Sequence, residues 1–289
     1  MNGTGLPLVT PFDADGELAE DSLRELVTWV TDRGVDFVAP CGSNSEAELM
    51  SVEERARVVE LVVEEAPSDV PVLAGTGHPG LRETLRQTRL AAEAGADAAL
   101  VVTPFYYTHD EPALVEHYLS LADESEIPIY LYSVPAYTGV SLPVSAVERL
   151  ASHDNVHGMK DSSGDLETLQ RERAVTDPSF DLLVGSGSVY AHGLDAGADG
   201  GILALANVAP ERASEVYDRH EAGEEARARR TNADLVALNR AVTARFGVPG
   251  LKAAMRSRGA PAGLPRRPHR PVDEAVVAEL DGLVAAALD

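Results

Sequence analysis

Between residues 5 and 204 the chain repeats one unit: a short apolar run, a turn, then a stretch whose apolar residues have helical spacing. The runs fall at 5–10, 35–40, 70–74, 98–103, 127–132, 156–160, 180–184 and 200–204. A short run that is apolar almost throughout marks a strand buried on both faces, as parallel sheets require. Parallel neighbours cannot be joined by a tight hairpin, so the helical stretches supply the crossovers. Asp21 is placed to cap a helix over 23–31. Ser51 with Glu54 forms a capping-box pattern. Further helical stretches cover 81–94, 112–122, 145–151 and 166–175, and a short one reaches Leu194.

Eight such units predict a closed α/β architecture, the (β/α)8 TIM barrel. An open doubly wound sheet is the runner-up, but no Gly-x-Gly-x-x-Gly turn follows the first run. The 289 residues suit a barrel of roughly 250 residues with an addition. From about Pro210 onward the pattern is helical only. A charged, alanine-rich stretch covers 211–238, Val248-Pro249-Gly250 breaks it, and 251–256 reads as a short amphipathic turn. The basic, proline-rich 266–271 reads as a plain connector to a last helix over 272–288. The expected division is a barrel over 1–209 and a C-terminal helical extension over 210–289, packed on the barrel.

Net charge narrows the partners. A formal charge of -23 argues against nucleic acid, whose phosphates such a surface repels. The acids are spread through amphipathic stretches, as solvated helix faces are. Abundant Asp and Glu with almost no Lys points to a salt-adapted host, where self-repulsion is screened. The single cysteine, Cys41, excludes an intramolecular disulfide. No basic, apolar leader opens the sequence and no apolar run reaches about 18 residues, so a cytoplasmic protein without membrane contact is expected.

Of the 24 Lys and Arg side chains only two are lysines, Lys160 and Lys252. Arginine can replace lysine wherever positive charge suffices, but guanidinium cannot form a Schiff base. Lys160 ends the sixth run, just before the small-residue turn Ser162-Ser163-Gly164. In a barrel the active site forms at the C-terminal ends of the strands. Those ends carry Thr10, Ser43 with Asn44, Thr76, Tyr106, Tyr132, Lys160, Ser186 and Ile202. No histidine–carboxylate cluster has metal-ligand spacing, so no metal is expected. Amine, phenols and hydroxyls suit Schiff-base chemistry. An attacking amine must be neutral, which apolar burial favours, and a neighbouring phenol can give and take the protons.

Six segments, in order, carry a resemblance. They are Leu8-Val9-Thr10-Pro11-Phe12, Gly42-Ser43-Asn44-Ser45-Glu46, Thr103-Pro104-Phe105-Tyr106, Tyr132-Ser133-Val134-Pro135-Ala136-Tyr137-Thr138-Gly139, Met159-Lys160-Asp161 and Gly197-Ala198-Asp199-Gly200-Gly201-Ile202. With them the chain resembles the N-acetylneuraminate lyase and dihydrodipicolinate synthase family of pyruvate-dependent class I aldolases, over nearly its whole length. The resemblance implies a Schiff base of pyruvate on Lys160, with no other cofactor, and Tyr132 as the proton shuttle. It implies a hydroxyl relay through Ser43, and the amides of Ser43 and Asn44 on the pyruvate carboxylate. Tyr106 would be a relay tyrosine presented to a neighbouring subunit of a homotetramer, and the Ile202 carbonyl would line the pyruvate site. Thr10 and Ser186 are further substrate-site candidates.

Two departures bear on the substrate. Synthase members usually show Gly-Thr-Thr-Gly-Glu where this chain has Gly42-Ser43-Asn44-Ser45-Glu46. They also carry an arginine, which grips the aldehyde partner's carboxylate, where this chain has Tyr137; a phenol cannot make that two-point contact. The stretches 135–140 and 162–165 lean toward the lyase and sugar-acid aldolase branches. The expected activity is cleavage of 2-keto-3-deoxygluconate, its 6-phosphate, or both, to pyruvate and an aldehyde, closest in kind to the aldolase of a halophile. Dihydrodipicolinate synthase and N-acetylneuraminate lyase are the enzymatic alternatives, and a keto-acid-binding sensor the non-enzymatic one. For a phosphate, Arg240 and Arg245 are candidates by their place on late helices.

Overall fold

The computed structural model describes residues 1–289. Its strands are β1 (Gly3–Leu6), β2 (Phe37–Val38), β3 (Leu73–Gly75), β4 (Ala98–Val102), β5 (Ile129–Ser133), β6 (Val156–Asp161), β7 (Asp181–Val184) and β8 (Gly200–Ile202). All pairings are parallel, in the order β2-β1-β8-β7-β6-β5-β4-β3. A parallel bridge between Val38 and Val72 closes the ring, with Val38 N–H on the Pro71 carbonyl at 3.0 Å and Gly75 N–H on that of Pro40 at 2.8 Å. The fold is the predicted (β/α)8 barrel.

Helices α1 (Glu20–Thr31), α2 (Val52–Glu65), α3 (Leu81–Glu93), α4 (Glu111–Glu124), α5 (Pro135–Thr138), α6 (Val144–Leu150), α7 (Leu166–Val175) and α8 (Tyr190–Asp195) run between strands. Phe37, Leu73, Leu100, Tyr130, Leu183 and Ile202 fill the barrel interior, and a larger apolar layer lies between strands and helices. The first strand lies earlier than the 5–10 run because Pro7 has no N–H for the ladder. Beyond it the chain keeps only single bonds, such as Leu8 N–H to the Ala39 carbonyl.

Capping follows local chemistry, with one correction. Ser51 and Glu54 form the reciprocal box that opens α2, at 3.2 and 2.8 Å. Asp21 is not a cap: α1 starts at Glu20 without a side-chain cap, and both acids lie in its first turn. There they meet the positive end of the helix dipole.

The C-terminal segment is more ordered than its sequence pattern implies. Helices α9 (Pro210–Glu221) and α10 (Glu225–Arg240) pack together, parted at Gly223 with φ +74°. A π-helical turn, Ala241–Arg245, then leads into α11 (Gly247–Ser257). Val248-Pro249-Gly250 therefore opens a helix rather than breaking one: Pro249 sits in the first turn, where its missing N–H costs no bond. Helix α12 (Glu274–Leu288) starts from Asp273, which caps Val276 N–H at 2.9 Å. The basic 266–271 stretch is no plain connector. Arg266 donates to the carbonyls of Gly16 and Leu49 at 2.9 and 3.0 Å and pairs with Glu54. No helix is long and apolar enough to cross a membrane.

Barrel closure leaves no space at Gly75, where a Cβ would lie 2.1 Å from the Cys41 carbonyl oxygen. Gly75→Ala is expected to cost about 1–3 kcal/mol or more as β2 and β3 are forced apart. A thermal midpoint equal to that of the parent would contradict this packing.

Candidate active site

Tyr132 on β5 and Lys160 on β6 are paired in register. In parallel strands, residues in register point to the same face, and here both turn into the barrel. Lys160 is 4% exposed, and its Nζ lies 4.3 Å from the centroid of the Tyr132 ring without a hydrogen bond to protein. It backs onto that ring rather than lining the main cavity itself. Ser43 reaches the pair from across the barrel, with Oγ 3.5 Å from the Tyr132 hydroxyl. That is the outer limit of a hydrogen bond, as catalytic contacts often are before a ligand tightens them. An amine, a phenol and a hydroxyl from three separate strand ends thus form one chain of contacts.

Ser43 lies on a single 3₁₀ turn, Ser43–Ser45. The turn is pinned at one end by Gly42 N–H on Ser45 Oγ at 3.2 Å, and Ser45 Oγ in turn donates to the Leu8 carbonyl. Asn44 is half-buried on the same turn. A cavity of about 670 Å³ opens over it, lined by Ser43, Tyr132, Val134, Tyr137, Phe105 and Arg55 and, from the C-terminal segment, by residues 243–249 and His269.

The remaining candidates divide. Tyr137 lines the cavity. Ile202 ends β8 inside the barrel, and Ser186 follows β7, half-buried. Thr10 is buried away from the cavity; its carbonyl accepts from Lys252 Nζ at 2.7 Å and its hydroxyl has no partner. Tyr106 is 86% exposed, with φ +78°, and packs edge-on to Tyr107 rather than near Tyr132. No group of three or more His, Cys, Asp or Glu side chains is arranged to hold a metal ion.

Sequence reasoning missed the second lysine. Lys252 is fully buried and spends its three ammonium hydrogens on the Thr10 carbonyl at 2.7 Å, Glu46 Oε1 at 2.5 Å and the Leu264 carbonyl at 2.9 Å. Burial pulls its amine down to about 8, while the Glu46 carboxylate works the other way. Three diverging acceptors suit an ammonium and not a planar guanidinium. The lysine scarcity that singled out Lys160 was therefore equally a signal for Lys252.

Behind Lys160 lies a buried acidic pair. Asp161, the next residue, faces out of the barrel and accepts from the Ser163 amide and hydroxyl at 2.8 and 2.7 Å. Glu172 on α7 is 1% exposed, and its Oε2 has no partner. Burial, then the charges of Asp161 and Asp165, push the Glu172 carboxyl up to about 8. A carboxyl whose folded pKa is raised gives stability that is present below about 4.5 and lost as pH rises through about 8. The protein should therefore lose thermal stability between pH 4.5 and about 8 through this group. Glu172→Gln should flatten that slope, and an unchanged slope would mean the carboxyl does not titrate as placed.

Comparison with known proteins shows the family. The model of the dihydrodipicolinate synthetase family matches residues 1–287. An uncharacterized DapA-like lyase of Halobacterium salinarum is 40% identical over 274 residues, covering 95% of this chain and 90% of that protein. The 4-hydroxy-tetrahydrodipicolinate synthase of Methanothrix thermoacetophila is 38% identical over 283 residues, covering 98% and 95%. Among solved structures, YagE of E. coli K12, a prophage protein of the same family in complex with pyruvate, superposes with a TM-score of 0.95 at 29% identity, covering 100% of this chain and 99% of that one. Enzymes of this family act through a Schiff base between a lysine and pyruvate and need no cofactor. The chain belongs to the dihydrodipicolinate synthetase family and is a pyruvate-dependent carbon–carbon lyase.

Proposed function

We propose that this lyase cleaves a 2-keto-3-deoxy sugar acid, 2-keto-3-deoxygluconate in kind, to pyruvate and an aldehyde. The observation that carries the reading is the Lys160–Tyr132–Ser43 chain of contacts under a cavity whose wall presents Tyr137. Lys160 attacks the C2 ketone and water leaves, giving a protonated imine. Tyr132 takes the proton of the C4 hydroxyl, and the C3–C4 electron pair flows into the imine. The aldehyde departs, the enamine is protonated at C3, and hydrolysis frees pyruvate and Lys160. The Ser43 hydroxyl passes the proton on, and the amides of Ser43 and Asn44 hold the carboxylate, with Ser186 after β7 and the Ile202 carbonyl at the end of β8 on the sides between them.

Charge at the cavity favours the unphosphorylated acid. Arg245 lines it but is held at two points by Glu279, at 2.5 and 3.2 Å, and stacks on Phe246. Arg55 donates through Nη2 to the carbonyls of Gly75 and Gly77, and its Nη1 lies 3.8 Å from Glu48, and Arg240 does not line the cavity. Tyr106, exposed on a left-handed backbone, fits a role in a neighbouring subunit of a homotetramer. The charge of -23 and the halobacterial relative support a salt-adapted host.

Synthase activity is the second reading, supported by the 38% identical synthase. Against it stands Tyr137, which offers an aldehyde's carboxylate one hydroxyl and no charge. Pyruvate release in molar salt from 2-keto-3-deoxygluconate, its 6-phosphate and N-acetylneuraminate separates the readings. Release is expected from the first most of all. No release from any of the three, with condensation of pyruvate and aspartate semialdehyde, would make the protein a synthase. Lys160→Ala should abolish turnover and also the mass gained on borohydride reduction with pyruvate.

A further inference from the structure

Glu46 follows directly on the turn that carries Ser43. Its amide donates back to the Ser43 carbonyl at 3.3 Å, and its backbone is left-handed, with φ +58°. A non-glycine residue stays in that region only where its surroundings hold it. Here the side chain is held from three sides. Oε1 takes Lys252 Nζ at 2.5 Å, and Oε2 takes the Arg266 amide at 2.9 Å and meets His269 Nδ1 at 2.8 Å. Lys252 also grips Thr10 and Leu264 through their carbonyls. One buried carboxylate therefore joins the β1 exit, the Ser43 turn and the C-terminal 264–269 segment. Glu46 and His269 line the same cavity as Ser43 and Tyr132.

We propose that Glu46 is a positioning residue for the lyase reaction, and that Lys252 and the 264–269 segment act on the site through it. With Ser43 Oγ already 3.5 Å from the Tyr132 hydroxyl, the turn has no slack. A displacement of about 1 Å can cost on the order of a hundredfold in rate. The proposal rests on the aldolase reading above, in which this turn holds the pyruvate carboxylate.

The test is borohydride trapping of pyruvate on the full chain against pyruvate concentration, with thermal midpoints measured in parallel. Glu46→Gln leaves the Lys252 ammonium without a counter-charge. It should lower the midpoint and raise the half-saturating pyruvate concentration on the order of tenfold. Adding Lys252→Met removes the second charge, so the midpoint should recover, while the half-saturation stays raised because nothing orients the turn. His269→Ala leaves the ion pair intact and should fold normally, with a smaller rise in half-saturation. If half-saturation returns to the parent value with the midpoint in the double variant, or moves in none of the three, Glu46 is structural only and the proposal is overturned. If the parent protein traps no pyruvate, the aldolase reading falls and the positioning role with it.

Discussion

The Lys252–Glu46 ion pair is the interaction on which the upper face of the barrel depends. Both side chains are out of contact with water. Taking two charges from water is costly, and the pair persists because nearly every donor and acceptor on it is used. Removing either partner would leave a buried, uncompensated charge, at a cost of about 3–5 kcal/mol. The pair spans 206 residues of sequence, from the second strand end to the C-terminal helices. It is one of the contacts that hold the segment beyond the barrel against the cavity.

Against that fixed frame, the chemistry needs little further apparatus. Parallel register alone sets Tyr132 beside Lys160, because β5 and β6 present their inward residues at the same height. The barrel interior below them is apolar and close-packed. That gives the amine a dry floor, and no protein group hydrogen-bonds to it. The outward neighbour, Asp161, belongs to a different layer, between strand and helix, where its charge acts on the buried Glu172. Adjacent residues of one strand thus face different layers, Lys160 inward and Asp161 outward.

Much of this was legible in the residues. Unbroken apolar runs marked the strands, because a strand buried on both faces has no polar side to alternate. Strand and helix margins were less legible: Pro7 ended β1 early, and a proline in a helical first turn read as a break at Val248-Pro249-Gly250. Lysine scarcity pointed at both lysines, but only one had a strand-end context to interpret it. The engagement of Arg266 and His269 had no local signature, since a basic, proline-rich stretch looks the same whether solvated or gripped by a distant carboxylate.

Local pattern by itself determined the eight strand–helix units, their order and the amine, phenol and hydroxyl at the strand ends, because unbroken apolar runs and helical periodicity are each read over a few residues at a time. Tertiary structure alone decided that Lys252 clamps Glu46, that Glu172 is buried beside Asp161, and that residues 243–249 and His269 wall the cavity. Those are contacts between segments far apart in sequence. Their physics lies in burial and in the sharing of hydrogen-bond donors, and neither exists until the chain has closed on itself.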